Sequence, residues 1–203
     1  MSLKKPNILV VGSFMMDLIA STRRVPNSGE TVIGMKFQTA PGGKGANQAV
    51  QCARLGAHVT MVGQVGDDAF GRFLIDTVER HGIDASHISK DPKVHTTLAF
   101  VCLDESGDRS FSFYRDRGAA LMLSPADLPA PLFRESRIFH FGSLSMTAEP
   151  ARSATLAALA LAKQSGCLVS YDPNWRPSLW RNETEAVELM RAPLRQVDIP
   201  HYR

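Results

Sequence analysis

The sequence contains no apolar run that approaches the ~20 residues of a membrane-spanning helix, so no membrane partner is expected. The start, Met1-Ser2-Leu3-Lys4-Lys5, is basic, but the apolar run at 8–11 is too short for the core of a secretory signal. Cysteine is scarce. Cys52, Cys102 and Cys167 are odd in number and widely spaced, and each stands among apolar residues. They are expected to be reduced, buried thiols of a cytoplasmic protein. The 6 histidines show no ligand spacing, so no metal site is expected on the residues alone. A large excess of one charge is missing: 23 Lys and Arg against 20 Asp and Glu leave a net +3, which gives no reason to expect nucleic acid as a partner. Internal repeats and low-complexity segments are also missing, which excludes solenoid and compositionally disordered classes.

What is present is ordinary for a globular chain: 203 residues, 44% hydrophobic and 21% charged. Short apolar runs at 8–11, 59–62, 137–143 and 167–171 read as buried strands. Helical spacing follows at 46–55, 70–80 and 151–163, closed by Gly56, Gly82 and Gly166. This alternation predicts an α/β fold with a doubly wound parallel sheet. Residues 31–37 are β-prone. Two β-prone runs at 98–103 and 110–114 flank Asp104-Glu105-Ser106-Gly107-Asp108-Arg109, a hairpin pattern. Ser124-Pro125-Ala126-Asp127-Leu128 reads as a loop entering a short helix. Asp67-Asp68 and Asn182 read as helix caps, with acids after Asn182 suited to a first turn. His140 reads as a packed strand histidine.

The most informative stretch is Ala40-Pro41-Gly42-Gly43-Lys44-Gly45-Ala46-Asn47-Gln48-Ala49-Val50. Glycines running into a helix start leave the backbone free for positive φ, and they present N–H groups and a positive dipole end to an anion. Lys44 adds a cation and Asn47 both a donor and an acceptor. A tight turn with a solvated lysine is the other reading of the same residues. A P-loop is excluded, because Gly45 stands where Ser or Thr must follow Lys. A dinucleotide turn is excluded too, since Val10-Val11-Gly12-Ser13-Phe14-Met15-Met16-Asp17 offers only Gly12.

Gly42-Gly43-Lys44-Gly45-Ala46-Asn47-Gln48-Ala49, then Gly56, then Gly63-Gln64-Val65-Gly66-Asp67-Asp68-Ala69-Phe70-Gly71 form an ordered set. It resembles the first signature of the ribokinase/PfkB family of carbohydrate kinases. Ser143-Leu144-Ser145-Met146-Thr147-Ala148-Glu149-Pro150 and Asp172-Pro173-Asn174-Trp175-Arg176-Pro177-Ser178-Leu179-Trp180 resemble fructokinases, the latter also ketodeoxygluconate kinases. The resemblance implies a ribokinase-like three-layer α/β/α sandwich with a small β-lid, drawn from segments around 17–40 and 96–117. It also implies ATP-dependent phosphorylation of a small sugar hydroxyl with Mg²⁺, and pairing into a homodimer through the lid. Asp17, Gly42, Gly43, Lys44, Asn47, Arg115 and Ser143 are the implied sugar-binding residues, with Asn174 and Arg176 facing the phosphate region. Arg117 is read as a solvated strand end. Where ribokinases carry Asn this chain has Met15, and Ser143 stands near their sugar-binding Glu, so the resemblance leans away from ribose.

Two expectations concern the last residues. Val197-Asp198-Ile199 looks like the opening of a further central strand, which Pro200 then interrupts by removing a ladder donor. The family's Gly-Ala-Gly-Asp phrase, which carries its catalytic aspartate, does not occur in the sequence. The chain is therefore expected to be the N-terminal part of such a domain, without a catalytic residue of its own. A noncatalytic sugar-binding or association module remains the alternative, and so do ribose and ketodeoxygluconate as substrates.

Overall fold

The structure, a computed structural model, describes residues 5–105, 107–116 and 118–201. Arg117, read above as a solvated strand end, lies outside the described residues, as do Ser106 of the hairpin turn and the first four and last two residues. In chain order the elements are β1 (Asn7–Val11), β2 (Met15–Thr22), β3 (Gly34–Gly42), α1 (Lys44–Arg54), β4 (His58–Gly66), α2 (Ala69–Arg80) and β5 (Asp84–Asp91). There follow β6 (Leu98–Leu103), β7 (Arg109–Tyr114), α3 (Ala130–Glu135), β8 (Ile138–Gly142), α4 (Ala151–Gln164), β9 (Leu168–Asp172), α5 (Glu183–Arg191) and β10 (Ile199–Pro200).

Six strands form an all-parallel sheet in the order β10-β9-β8-β1-β4-β5. Its central strand β1 buries Leu9, Val10 and Val11 almost completely, because both faces are covered. Alternation along the strands sorts the core into two clusters. Val10, Val59, Met61 and Val65 pack under α1 and α2 through Ala46, Ala49, Leu74 and Val78. Leu9, Val11, Phe139, Phe141, Val169 and Tyr171 pack with Phe133, Ala154, Ala158, Leu159 and Ala186 of α3, α4 and α5. The second cluster contains an aromatic row: Phe133, Phe139, Phe141 and Tyr171 follow one another with ring centroids 5.6, 5.4 and 4.7 Å apart. Such pairs add about 0.5–1.5 kcal/mol each beyond area burial.

Four strands form a second sheet in the order β3-β2-β6-β7, with β2 and β6 parallel and the outer pairs antiparallel. β2 follows β1 after only Gly12, Ser13 and Phe14, so the chain changes sheets within three residues.

Three details depart from the sequence reading. β5 has no clear sequence signal: it is an edge strand whose polar residues lack a clean alternation. Pro200 does not end the pairing with β9. Because it has no N–H, donation passes from Asp198, bonded to the Val169 carbonyl, to His201, bonded to the Tyr171 carbonyl, each at 2.9 Å. Of the three free thiols only Cys167 is buried; Cys52 and Cys102 are half-buried. Cys102 lies in the thin second sheet, and Cys52 at the rim of α1.

The sheet change is held by glycine. A β-carbon at Gly45 would fall 2.8 Å from the Gly12 Cα, and one at Gly63 2.7 Å from the Gly12 carbonyl oxygen. A β-carbon at Gly43, whose φ is 100°, would run into the Ser13 carbonyl and lie 2.9 Å from the Phe14 Cα. Backbone meets backbone here, so no flexible side chain can yield. Gly45→Ala should therefore lower stability: overpacking of about 1–3 kcal/mol exceeds the up to ~1 kcal/mol that alanine adds as a helix former. Gly12→Ala should act on the same contact, and the pair should be less than additive. Urea midpoints for the two single variants and the double one measure this; an unchanged or raised midpoint for Gly45→Ala contradicts it.

Candidate functional site

The carboxyl ends of β1, β8 and β9, the start of α1 and the first turns of β2 meet on one side of the large sheet, where open α/β sheets place ligands. Asp17 lies in β2, paired with Ala40 of β3 and Ala99 of β6. Its carboxyl group is pressed against Gly42, where a β-carbon would fall 2.9 Å from Oδ1. Burial pushes the Asp17 carboxyl above the usual carboxylate range. Among the described residues no hydrogen-bond donor is spent on it, so both oxygens remain available to a ligand. Gly42 and Gly43 are buried beside it, while Asn47 is exposed one helical turn on, its N–H bonded to the Gly43 carbonyl at 2.9 Å. Of the first-turn N–H groups of α1, that of Ala46 donates to the Ser13 carbonyl at 3.3 Å.

Beside this cluster lies a small cavity of about 10 Å³, room for one water-sized group. It is lined by Gly12 and Ser13, Lys44 and Gly45, residues 142–145, Asp172 and Asn174. Asp172 ends β9 and is 4% exposed. It accepts from Gln48 Nε2 at 2.9 Å and from the Asn174 N–H at 3.0 Å, closing an Asx-type turn through Pro173. That turn holds Asn174 at φ 27°, in the left-handed region that asparagine tolerates better than most residues. The Asn174 Oδ1 is buried and has no partner.

The remaining residues named from the sequence take different places. Ser143 is fully buried, and its hydroxyl donates to the Pro173 carbonyl at 2.6 Å, so it supports the Asp172–Asn174 turn from below. Arg115, just after β7, donates to the Leu144 carbonyl at 3.1 Å and to Thr147 Oγ1 at 3.3 Å. It ties the small sheet to the segment after β8, and burial pulls its pKa down. Arg176 is exposed and donates to the Trp175 carbonyl at 2.8 Å, away from the cavity lining. Gln48 and the Asp172 carboxylate were not singled out in the sequence. Gln48 follows Lys44 by one helical turn, and Asp172 closes a buried strand at its carboxyl end, so the two positions carried a signal.

A doubly wound α/β domain with a glycine turn at the strand ends and a carboxylate set over it from a separate strand sheet defines a small-molecule binding fold. The pfkB family carbohydrate kinase profile matches residues 5–200, and the chain belongs to that family. It is 45% identical over 150 residues to a fructokinase of Solanum tuberosum, covering 74% of this chain and 47% of that one. It is 36% identical over 194 residues to a probable fructokinase-5 of Arabidopsis thaliana, covering 96% and 59% respectively. Among solved structures, the fructokinase from Xylella fastidiosa superposes with a TM-score of 0.84 at 35% identity, covering 97% of this chain and 59% of that one. The same enzyme with bound ATP gives 0.84 at 34% identity, covering 97% and 61%. The three-layer α/β/α fold is ribokinase-like. The chain spans about half the length of these curated relatives.

Three polar groups named from the sequence, Asp68, Asn182 and His140, belong to the scaffold. Asp68 caps α2 at the Gly71 N–H, 2.7 Å, and binds Thr96 through both its N–H and its hydroxyl at 2.8 Å. Burial opposes its charge, but these hydrogen bonds win and hold the carboxyl below the usual range. Asn182 caps α5 at the Glu185 N–H, 2.8 Å. His140 alternates with Phe139 and Phe141, so it faces away from α4 and bonds Ser170 Oγ at 2.9 Å. Burial first, and the neighbouring His201 second, lower its pKa from the usual 6.5 to about 4. The unfolded chain then binds a proton that the native chain refuses, so His140 contributes no penalty above about pH 6.5 and an increasing one as pH falls toward 4. Urea midpoints at pH 7 and pH 4.5 should show a larger loss for the native chain than for His140→Asn; equal losses would contradict this.

Proposed function

We propose that this chain supplies the sugar-binding part of a fructokinase-like enzyme, in which a sugar hydroxyl attacks the γ-phosphoryl group of ATP. The observation that carries the reading is Asp17: a half-buried carboxylate, held against Gly42 and given no donor among the described residues. Such a group is suited to accept two hydrogen bonds from neighbouring hydroxyls of one sugar. Gly42 and Gly43 let the sugar approach the backbone, and Asn47 and Lys44 add side-chain donors at its rim. The small sheet acts as the lid that excludes water, with Arg115 fixing it to the segment after β8. Fructose is the favoured substrate because the relatives that match bear fructokinase names, and one solved relative was crystallised with fructose, ADP and potassium ion. Ribose and ketodeoxygluconate are the competing sugars.

The chemistry of transfer needs a proton acceptor and donors for the transferring phosphoryl group. The family's phrase for both does not occur in this sequence, so phosphoryl transfer belongs to the proposed whole enzyme and the test of this chain is binding. No cluster of three or more His, Cys, Asp or Glu side chains occurs among the described residues, so they offer no ready-made Mg²⁺ site and no step is assigned to the ion. No helix among the described residues is long and apolar enough to cross a membrane; a cytoplasmic location fits the proposed role.

Calorimetric titration of the chain with fructose should give saturable binding, weakened about 10–100-fold in Asp17→Ala by loss of a charged acceptor. Because burial raises the Asp17 pKa, binding should also weaken on acidification before an exposed aspartate would be protonated. Absence of saturable binding by fructose, ribose and ketodeoxygluconate alike would end this reading.

A homodimer through the small sheet is part of the same proposal. One face of the sheet exposes Phe37, Phe100 and Tyr114, which the register of β3, β2, β6 and β7 sets on the same side, and a contiguous apolar patch of this kind marks an interaction surface. Light scattering should report twice the chain mass, falling to one chain in the double variant Phe37→Asp with Phe100→Asp, both on that face. A native chain that stays monomeric at all concentrations contradicts it.

A further inference from the structure

Asn174 is 7% exposed, lines the cavity beside Lys44 and Gly45, and carries one buried side-chain oxygen without a partner. Its amide orientation follows from electrostatics. Nδ2 faces the Asp172 carboxylate at 3.5 Å, which would repel an oxygen in that place, so Oδ1 is the atom turned away from it. Asp172 is itself steered by Gln48, which reaches from α1 to Oδ2 at 2.9 Å. A buried acceptor left unpaired is costly, and it calls for a donor. A phosphate oxygen at neutral pH is an acceptor and cannot satisfy it; a hydroxyl can. The cavity of about 10 Å³ admits a single group of water size, so a ring stays outside and only one hydroxyl enters.

We infer that Asn174 is a specificity-determining residue: its Oδ1 accepts a hydrogen bond from one projecting hydroxyl of the bound sugar, and Gln48, acting through Asp172, is the residue that positions it. This deepens the sugar-binding reading and rests on it.

The test uses the 203-residue chain, fructose and the set of its monodeoxy analogues, with calorimetric affinities. One analogue should bind the native chain about tenfold more weakly than fructose, since it leaves the acceptor unpaired. Asn174→Gly keeps a residue at ease with positive φ and removes the oxygen, so that tenfold gap should close while the gaps for the other analogues persist. Gln48→Leu, which leaves the turn sequence intact, should narrow the same gap alone. If fructose binds but no analogue shows a gap that Asn174→Gly closes, the inference is overturned and the sugar reading stands; a resident water would give this result. A uniform loss across all analogues would make Asn174 a turn residue only and also overturns it. If the native chain binds none of the sugars, the sugar reading fails and this inference with it.

Discussion

The chain passes from the six-stranded to the four-stranded sheet at Gly12-Ser13-Phe14, and that crossing is pressed backbone to backbone against Gly43, Gly45 and Gly63. The rest of the molecule depends on this seam. It sets where β2 begins, hence where Asp17 falls, and it fixes the start of α1 against the end of β1. Side chains larger than hydrogen at these positions would separate the two sheets and the carboxylate from the glycine turn together. A site built this way needs little reorganisation to receive a ligand, which is how rigid elements give precise positioning.

A second centre is the Asp172 carboxylate. It collects a donor from α1 and another from its own turn, and its charge acts on neighbours: it works against ionisation of Tyr171, whose pKa burial already raises, and opposes the lowering at His140. A buried carboxylate needs such partners to be tolerated. Through Gln48 and Asp172 the glycine turn and the β9 turn form one hydrogen-bonded unit, so two motifs 124 residues apart in sequence share a wall of one cavity.

The fold was largely legible because its core strands are continuous apolar runs ending at glycine, and its helices close on Gly56, Gly82 and Gly166, all at positive φ. What was not legible lies at the margins. β5 is an edge strand with no period to read, and Pro200 joins the sheet because donation to β9 skips from the Asp198 N–H to the His201 N–H, past the proline. In the site, Asp17, Gly42 and Gly43 adjoin in space as their motifs suggest, whereas Arg176 stands apart at the surface and Ser143 spends its hydroxyl on the backbone. The Gln48–Asp172 bond was hidden because a polar residue on an inward helix face has no partner until the fold supplies one.

The central claim is that the glycine turn and Asp17 form one preorganised sugar site, and amide chemical shifts of the labelled chain titrated with fructose test it most directly. The account predicts saturable shifts centred on Asp17, Gly42, Gly43 and Asn47, with α5 and β10 unmoved. Saturable shifts confined to other elements, or none at any fructose concentration, would contradict it.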